Sequence, residues 1–85
     1  RGKEQTMKKI KCAVACTNSN GEPDFYFVTV KCTDEQYENG DHYDRAKEEA
    51  EEAGYDPFLV YDENDPYSAK IMSMTIWKDN NVVSC

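Results

Sequence analysis

Residues 10 to 32 alternate in character with a period of two on either side of a dense turn signal, and little other than an antiparallel hairpin satisfies that pattern. Ile10, Cys12, Val14 and Cys16 alternate with Lys11, Ala13, Ala15 and Thr17, so one face of an extended strand is apolar. Asn18-Ser19-Asn20-Gly21-Glu22-Pro23 breaks the run. Tyr26, Val28, Val30 and Cys32 then resume it, with Phe25, Phe27, Thr29 and Lys31 on the other face. Both apolar sets carry even numbers, so paired residues must sum to an even total. A slip by one would turn an entire apolar set to solvent. A sum of 44 meets the condition. It closes the loop around Gly21-Glu22-Pro23 and sets Cys12 opposite Cys32 and Val14 opposite Val30.

A helical segment follows. Thr33-Asp34-Glu35-Gln36 fits a capping box, in which the Thr hydroxyl and the Gln side chain each satisfy a backbone N–H of the first turn. Asn39-Gly40 interrupts, and Asp41 is the expected cap of a second helix. The pattern predicts a short helical turn or loop near 34–38 and a main helix over about 41–53. The buried stripe is expected to be Tyr43, Ala46, Ala50 and Ala53, spaced 3, 4 and 3. Gly54 suits the left-handed residue after the helix, with Tyr55 packing back and Pro57 forbidding continuation.

Phe58-Leu59-Val60-Tyr61 reads as a strand, ended by Asp62-Glu63-Asn64-Asp65-Pro66. Residues 70 to 77 alternate again, around Met72, Met74 and Ile76. A turn at Lys78-Asp79-Asn80-Asn81 brings Val82 to Cys85 back as a last strand. The order β-β-α-β-β-β implies a single α+β domain over 7–85, with a mainly antiparallel sheet and the helix on one face. At 85 residues the chain buries only about 60–65% of its unfolded surface, so one core layer is the maximum. Arg1 to Thr6 are wholly polar and read as a disordered extension or expression remnant, with Met7 the expected start.

Charge is segregated along this frame. Residues 34 to 65 hold thirteen acidic and two basic side chains, whereas the rest of the chain holds four acidic and eight basic ones. Five of the six tyrosines (Tyr37, Tyr43, Tyr55, Tyr61 and Tyr67) lie in or just beyond the acidic stretch. Such a surface repels nucleic acid and suits a basic protein partner. Glu48 and Glu52, at i and i+4, repel each other at a cost of a few tenths of a kcal/mol. Carboxylates spaced along a helix also occupy sites where a protein expects phosphates.

The chemistry-bearing residues exclude more than they suggest. His42 is the sole histidine, beside Asp41 and Asp44 at a helix start; a solvent-facing or capping role is expected for it. No phosphate loop, nucleophile elbow or histidine pair is present. Asp62-Glu63-Asn64-Asp65 opens like a calcium loop, but Pro66 stands where a further ligand belongs and no Glu closes it. Cys12, Cys16, Cys32 and Cys85 lack the spacing of a zinc or redox motif. Reduced thiols are expected, with Cys85 alone accessible. No apolar run reaches the roughly 18 residues a membrane span needs. The expectations are therefore no enzyme activity, no cofactor, no metal, no direct nucleic acid and no membrane.

Asp41-His42-Tyr43-Asp44-Arg45-Ala46-Lys47 through Ala53-Gly54-Tyr55, followed by Phe58-Leu59-Val60-Tyr61-Asp62, resembles small accessory proteins of phages and prophages. Those are short, acidic single-domain chains, several of them inhibitors of bacterial defence systems. The resemblance spans about a quarter of the chain and carries no functional residue across. It implies a cytoplasmic protein in a bacterial host. The expected interface is Glu48, Glu49, Glu51, Glu52, Tyr55, Asp62, Glu63 and Asp65, occluding a basic surface of a nucleic-acid-handling host protein. The alternative is self-association or partner binding through the sheet, by Phe25, Phe27, Ile71, Trp77 or the Val82-Val83 edge.

Overall fold

Two ten-residue strands, β1 (Lys8–Thr17) and β2 (Pro23–Cys32), form the predicted antiparallel hairpin in a computed structural model that describes residues 7–67, 70 and 81–85. The even-numbered sets share one face: Ile10, Cys12, Val14, Cys16, Val28, Val30 and Cys32 are all buried. Paired numbers sum to 40, not 44, so Cys12 faces Val28 and Val14 faces Tyr26. The parity argument leaves both registers open, and the turn chooses between them. The Asn18 side chain accepts from the backbone of Asn20 at 2.9 Å and of Glu22 at 3.1 Å, and Gly21 takes φ +80°. These bonds close the loop early, so Pro23 becomes the first residue of β2. The expected pairing of Cys12 with Cys32 is thereby corrected.

Helix α1 (Asp34–Asn39) starts on the predicted capping box: Thr33 Oγ1 accepts from Gln36 N at 3.1 Å and Gln36 Oε1 from Thr33 N at 2.8 Å. Helix α2 (Asp41–Glu52) follows after one residue. Its N-cap is Gly40 at φ +80°, with no capping side chain, so Asp41 is the first helical residue instead of the cap. One left-handed residue thus ends α1 and begins α2. The end of α2 matches expectation. Gly54 at φ +97° donates to the Glu51 carbonyl at 3.0 Å and Tyr55 N to the Ala50 carbonyl at 2.9 Å, a complete Schellman motif. Gly54→Ala should lower stability by about 1 kcal/mol, since a Cβ at this backbone angle is strained although no atom blocks it. Chemical denaturation checks this, and an unchanged midpoint would contradict it.

Strand β3 (Asp56–Asp62) pairs antiparallel with β1, and a bulge at Phe58 separates the Ala15–Leu59 and Cys16–Pro57 pairs. Strand β4 (Val82–Ser84) runs parallel to β2, with Val83 beside Val30, while its expected pairing with 70–77 falls outside the described residues. Asn81 sets it there. Its carbonyl accepts from Thr29 N at 2.9 Å and its Nδ2 donates to the Phe27 carbonyl at 2.7 Å. The strand expected over 70–77, with Ile71 and Trp77, lies outside the described residues except for Lys70, whose backbone is helical.

The sheet order is β3-β1-β2-β4, with both helices on one face, giving an α+β domain. The core is the layer between the even-numbered strand residues and Ala46 and Ala50, both fully buried. Two alanines four apart let α2 approach the sheet closely. Among the described residues no helix is long and apolar enough to cross a membrane.

Candidate functional site

Two arrangements stand out on the helical face, one inside it and one on top of it. The inner one was not foreseen. α2 is rotated from the expected stripe: His42, Ala46 and Ala50 point inward, while Tyr43 and Ala53 are exposed. His42 is 1% exposed and Asp62 4%. Their contact, Nε2 to Oδ2, spans 3.1 Å. Tyr43 OH donates to the same oxygen at 3.1 Å and Asn64 N to Oδ1 at 3.0 Å. A carboxylate receiving two other donors is an acceptor toward the imidazole as well, so Nε2 carries the hydrogen. The ring sits between Tyr37, centroids 4.8 Å apart, and Tyr43, 4.1 Å apart. Asn64 Nδ2 donates to Tyr37 OH at 2.6 Å, and Lys8 Nζ lies 4.9 Å from the Tyr37 ring centre. Burial, with the Asp62 carboxylate second, pushes the Tyr43 phenol up to about 12. His42 Nδ1 is buried with no hydrogen-bond partner among the described residues.

This cluster contradicts the solvent-facing or capping role expected of His42. Dyads of this kind activate hydroxyl or thiol nucleophiles in some sites. Here the arrangement clamps β3 and its following turn onto α2, and among the described residues no hydroxyl or thiol bonds the nitrogen away from the carboxylate. Among the described residues no group of three or more metal-ligating side chains is assembled.

The second arrangement is the acidic surface. Of the residues expected to contact a partner, Glu48, Glu51 and Glu52 are exposed on α2. Glu48 and Glu49 both reach Arg45 Nη1, at 2.8 and 3.0 Å, so one guanidinium holds two carboxylates. The remaining four have structural duties. Asp62 is buried, as described. Glu63 Oε1 accepts from Lys11 N at 2.8 Å, extending the β1 edge past the end of β3. Asp65 is half-buried and accepts from Tyr67 N at 3.1 Å. Tyr55 is half-buried against the core, its ring 5.4 Å from that of Tyr26. The surface is therefore centred on the helices.

Sequence reasoning underused Asp41 and Asp44, which with Gln36, Arg45, Glu48 and Cys85 line an open groove of about 290 Å³. Both are exposed, and neither has an ion-pair partner among the described residues. Asp41, Asp44 and Glu48 follow one another at three and then four residues, the spacing that places all three on one helix face. α1 adds exposed Glu35, Glu38 and Asp34, the last paired with Lys8 Nζ at 3.3 Å.

No family model, curated protein or solved structure matches this chain.

Among the sheet candidates, Phe25 is exposed and Phe27 half-buried, their rings stacked 6.2 Å apart. Val83 packs against the core. Phe58 and Leu59 on β3 are more open, at 62% and 46%. Pro57 and the adjoining bulge interrupt the hydrogen-bonding edge there, which is how sheets discourage strand addition.

Proposed function

We propose that this chain is a non-enzymatic protein-binding domain whose acidic helical face occludes a basic surface of a nucleic-acid-handling protein in a bacterial host, as a phage or prophage accessory protein. One observation carries the reading. Residues 34–52 hold nine acidic side chains against Arg45 and Lys47, and Arg45 is already engaged by Glu48 and Glu49. Asp41, Asp44, Glu48, Glu51 and Glu52 then present negative charge on a rigid scaffold, where it steers a cationic partner and costs no loop ordering. The carboxylates stand where the partner would otherwise meet phosphates. Mechanism is occlusion, with no bond made or broken.

The test is capture from bacterial lysate on the immobilised domain, repeated with Asp41, Asp44, Glu48 and Glu51 all replaced by Lys. Surface replacements of this kind leave the fold nearly unaffected, since exposed ion pairs contribute only about 0–1 kcal/mol. The expected result is a nucleic-acid-handling protein retained by the native domain, lost from the reversed one and displaced by added duplex DNA. Equal capture by both versions, or no such protein on either, would overturn the reading.

A further inference from the structure

We propose that Cys85 is a thiol-oxidation site resolved by Cys32, the two forming an internal disulfide that fastens β4 to β2. The parallel ladder sets Ser84 beside Lys31, and Cys85 N donates to the Lys31 carbonyl at 2.9 Å. One step further along, Cys85 adjoins Cys32. Neighbouring strands lie about 4.8 Å apart, within the roughly 4.4–6.8 Å between Cα atoms that a disulfide accepts. Ladder partners point to the same side of a sheet. Accordingly Cys32 is buried under the helices and Cys85 lines the groove beside α2 with Asp41, Asp44, Arg45 and Glu48. The two thiols are near enough that each perturbs the other's ionisation.

Access is asymmetric. Cys85 is exposed and Cys32 fully buried, so a reagent from solvent meets Cys85 first. Cys12 and Cys16 are fully buried on β1. In the first step Cys85 gives its proton to solvent and its thiolate attacks one sulfur of a small-molecule disulfide. A mixed disulfide forms and one small thiolate leaves, taking a proton from solvent. The Cys32 sulfur then attacks the Cys85 sulfur, closing the protein disulfide and expelling the second small thiolate, which takes up the Cys32 proton. Two protein thiols are oxidised by two electrons, and the reagent is reduced to two thiols.

The surroundings set the reagent. Burial, the Cys32 sulfur and Asp41 push the Cys85 thiol up, while Arg45 opposes them. The first step is therefore slow at neutral pH and accelerates as pH rises. The acidic lining disfavours an anionic disulfide and favours a cationic one. Closure also fixes Ser84, whose carbonyl accepts from Arg45 Nε at 2.9 Å, and so couples the state of the thiols to the acidic face.

The experiment treats the full chain with cystamine and, separately, with glutathione disulfide, and reads intact mass and linked peptides. The expected product has lost two hydrogens and carries a Cys32–Cys85 link, formed several-fold faster by cystamine at low salt. Cys85→Ser should abolish it. Cys32→Ala, and equally Cys32→Ser, should hold the mixed disulfide on Cys85 at least about tenfold longer than the native chain does. A mixed disulfide that persists equally with Cys32 present, links through Cys12 or Cys16, or disulfide-joined dimers in place of the internal bond would each overturn the proposal.

Discussion

Replacing Asp62 by alanine is expected to destabilise the domain by about 3–5 kcal/mol, a large part of the roughly 5–10 kcal/mol that holds a chain of this size together. The side chain accepts from His42, Tyr43 and Asn64, so its removal strands a fully buried imidazole N–H and unties the turn after β3. His42→Ala should be nearly as costly, since it leaves a buried carboxylate facing a cavity. Replacing both residues by leucine removes both polar groups together, and Tyr43 and Asn64 are exposed enough to turn to water. The double variant should therefore recover at least about 2 kcal/mol relative to Asp62→Ala. Urea denaturation of the three variants decides it. Additive losses would show that the pair is not the unit described.

Alkaline pH should unfold the domain through Cys12. Burial, then the Asp62 and Glu63 carboxylates and the nearby thiols, raise this thiol from 9.0 to about 12. The folded state therefore holds the proton that the unfolded chain releases near pH 9. Stability is constant below that point and falls as pH climbs toward the folded value, because there the folded form binds more protons than the unfolded one. Three pH units correspond to roughly 4 kcal/mol once ionisation is complete. Tyr43, also raised to about 12, and the other three cysteines, all raised, act in the same direction. Cys12→Ala should flatten the decline between pH 9 and pH 12 even though it lowers stability at neutrality. An unchanged slope would mean that Cys12 does not supply it.

The contrast between these two sites marks how far the chain could be read from its letters. Cys12 lay on a period-two stripe, and its burial followed from local alternation. So did the strand β3, the capping box at Thr33 and the Schellman motif at Gly54, each specified by residues within a few positions of one another. His42 was misplaced because its partner, Asp62, is twenty residues away, and nothing near a histidine among acids signals a buried acceptor. Helical spacing offered Tyr43 as the inward residue; the carboxylate on β3 rotated the helix toward His42 instead. The hairpin register missed by four because parity is blind to any even shift, and the Asn18 bonds separate the alternatives. β4 lies parallel along the far edge of β2, a long-range pairing that no local turn signal announces, and Asn81 anchors it there.

The same limits apply to the acidic surface. Composition located the charge between residues 34 and 65, but not its division between interface and scaffold. Asp62, Glu63 and Asp65 turn out to bond the chain's own groups, while Asp41 and Asp44 stand open beside Glu48. The proposed interface thus contracts from α2 and the turn after β3 to the helices alone.

The most direct measurement of that proposal is the affinity of the domain for the protein it captures, taken at about 50 mM and about 500 mM salt. Exposed carboxylates steering a cationic surface act over a Debye length of roughly 14 Å at the lower concentration and 4 Å at the higher. Affinity should then fall at least tenfold, most of it in the association rate, with the dissociation rate changed far less. An affinity that stays flat across that range would contradict the account, and would move the interface from the acidic helices to the sheet.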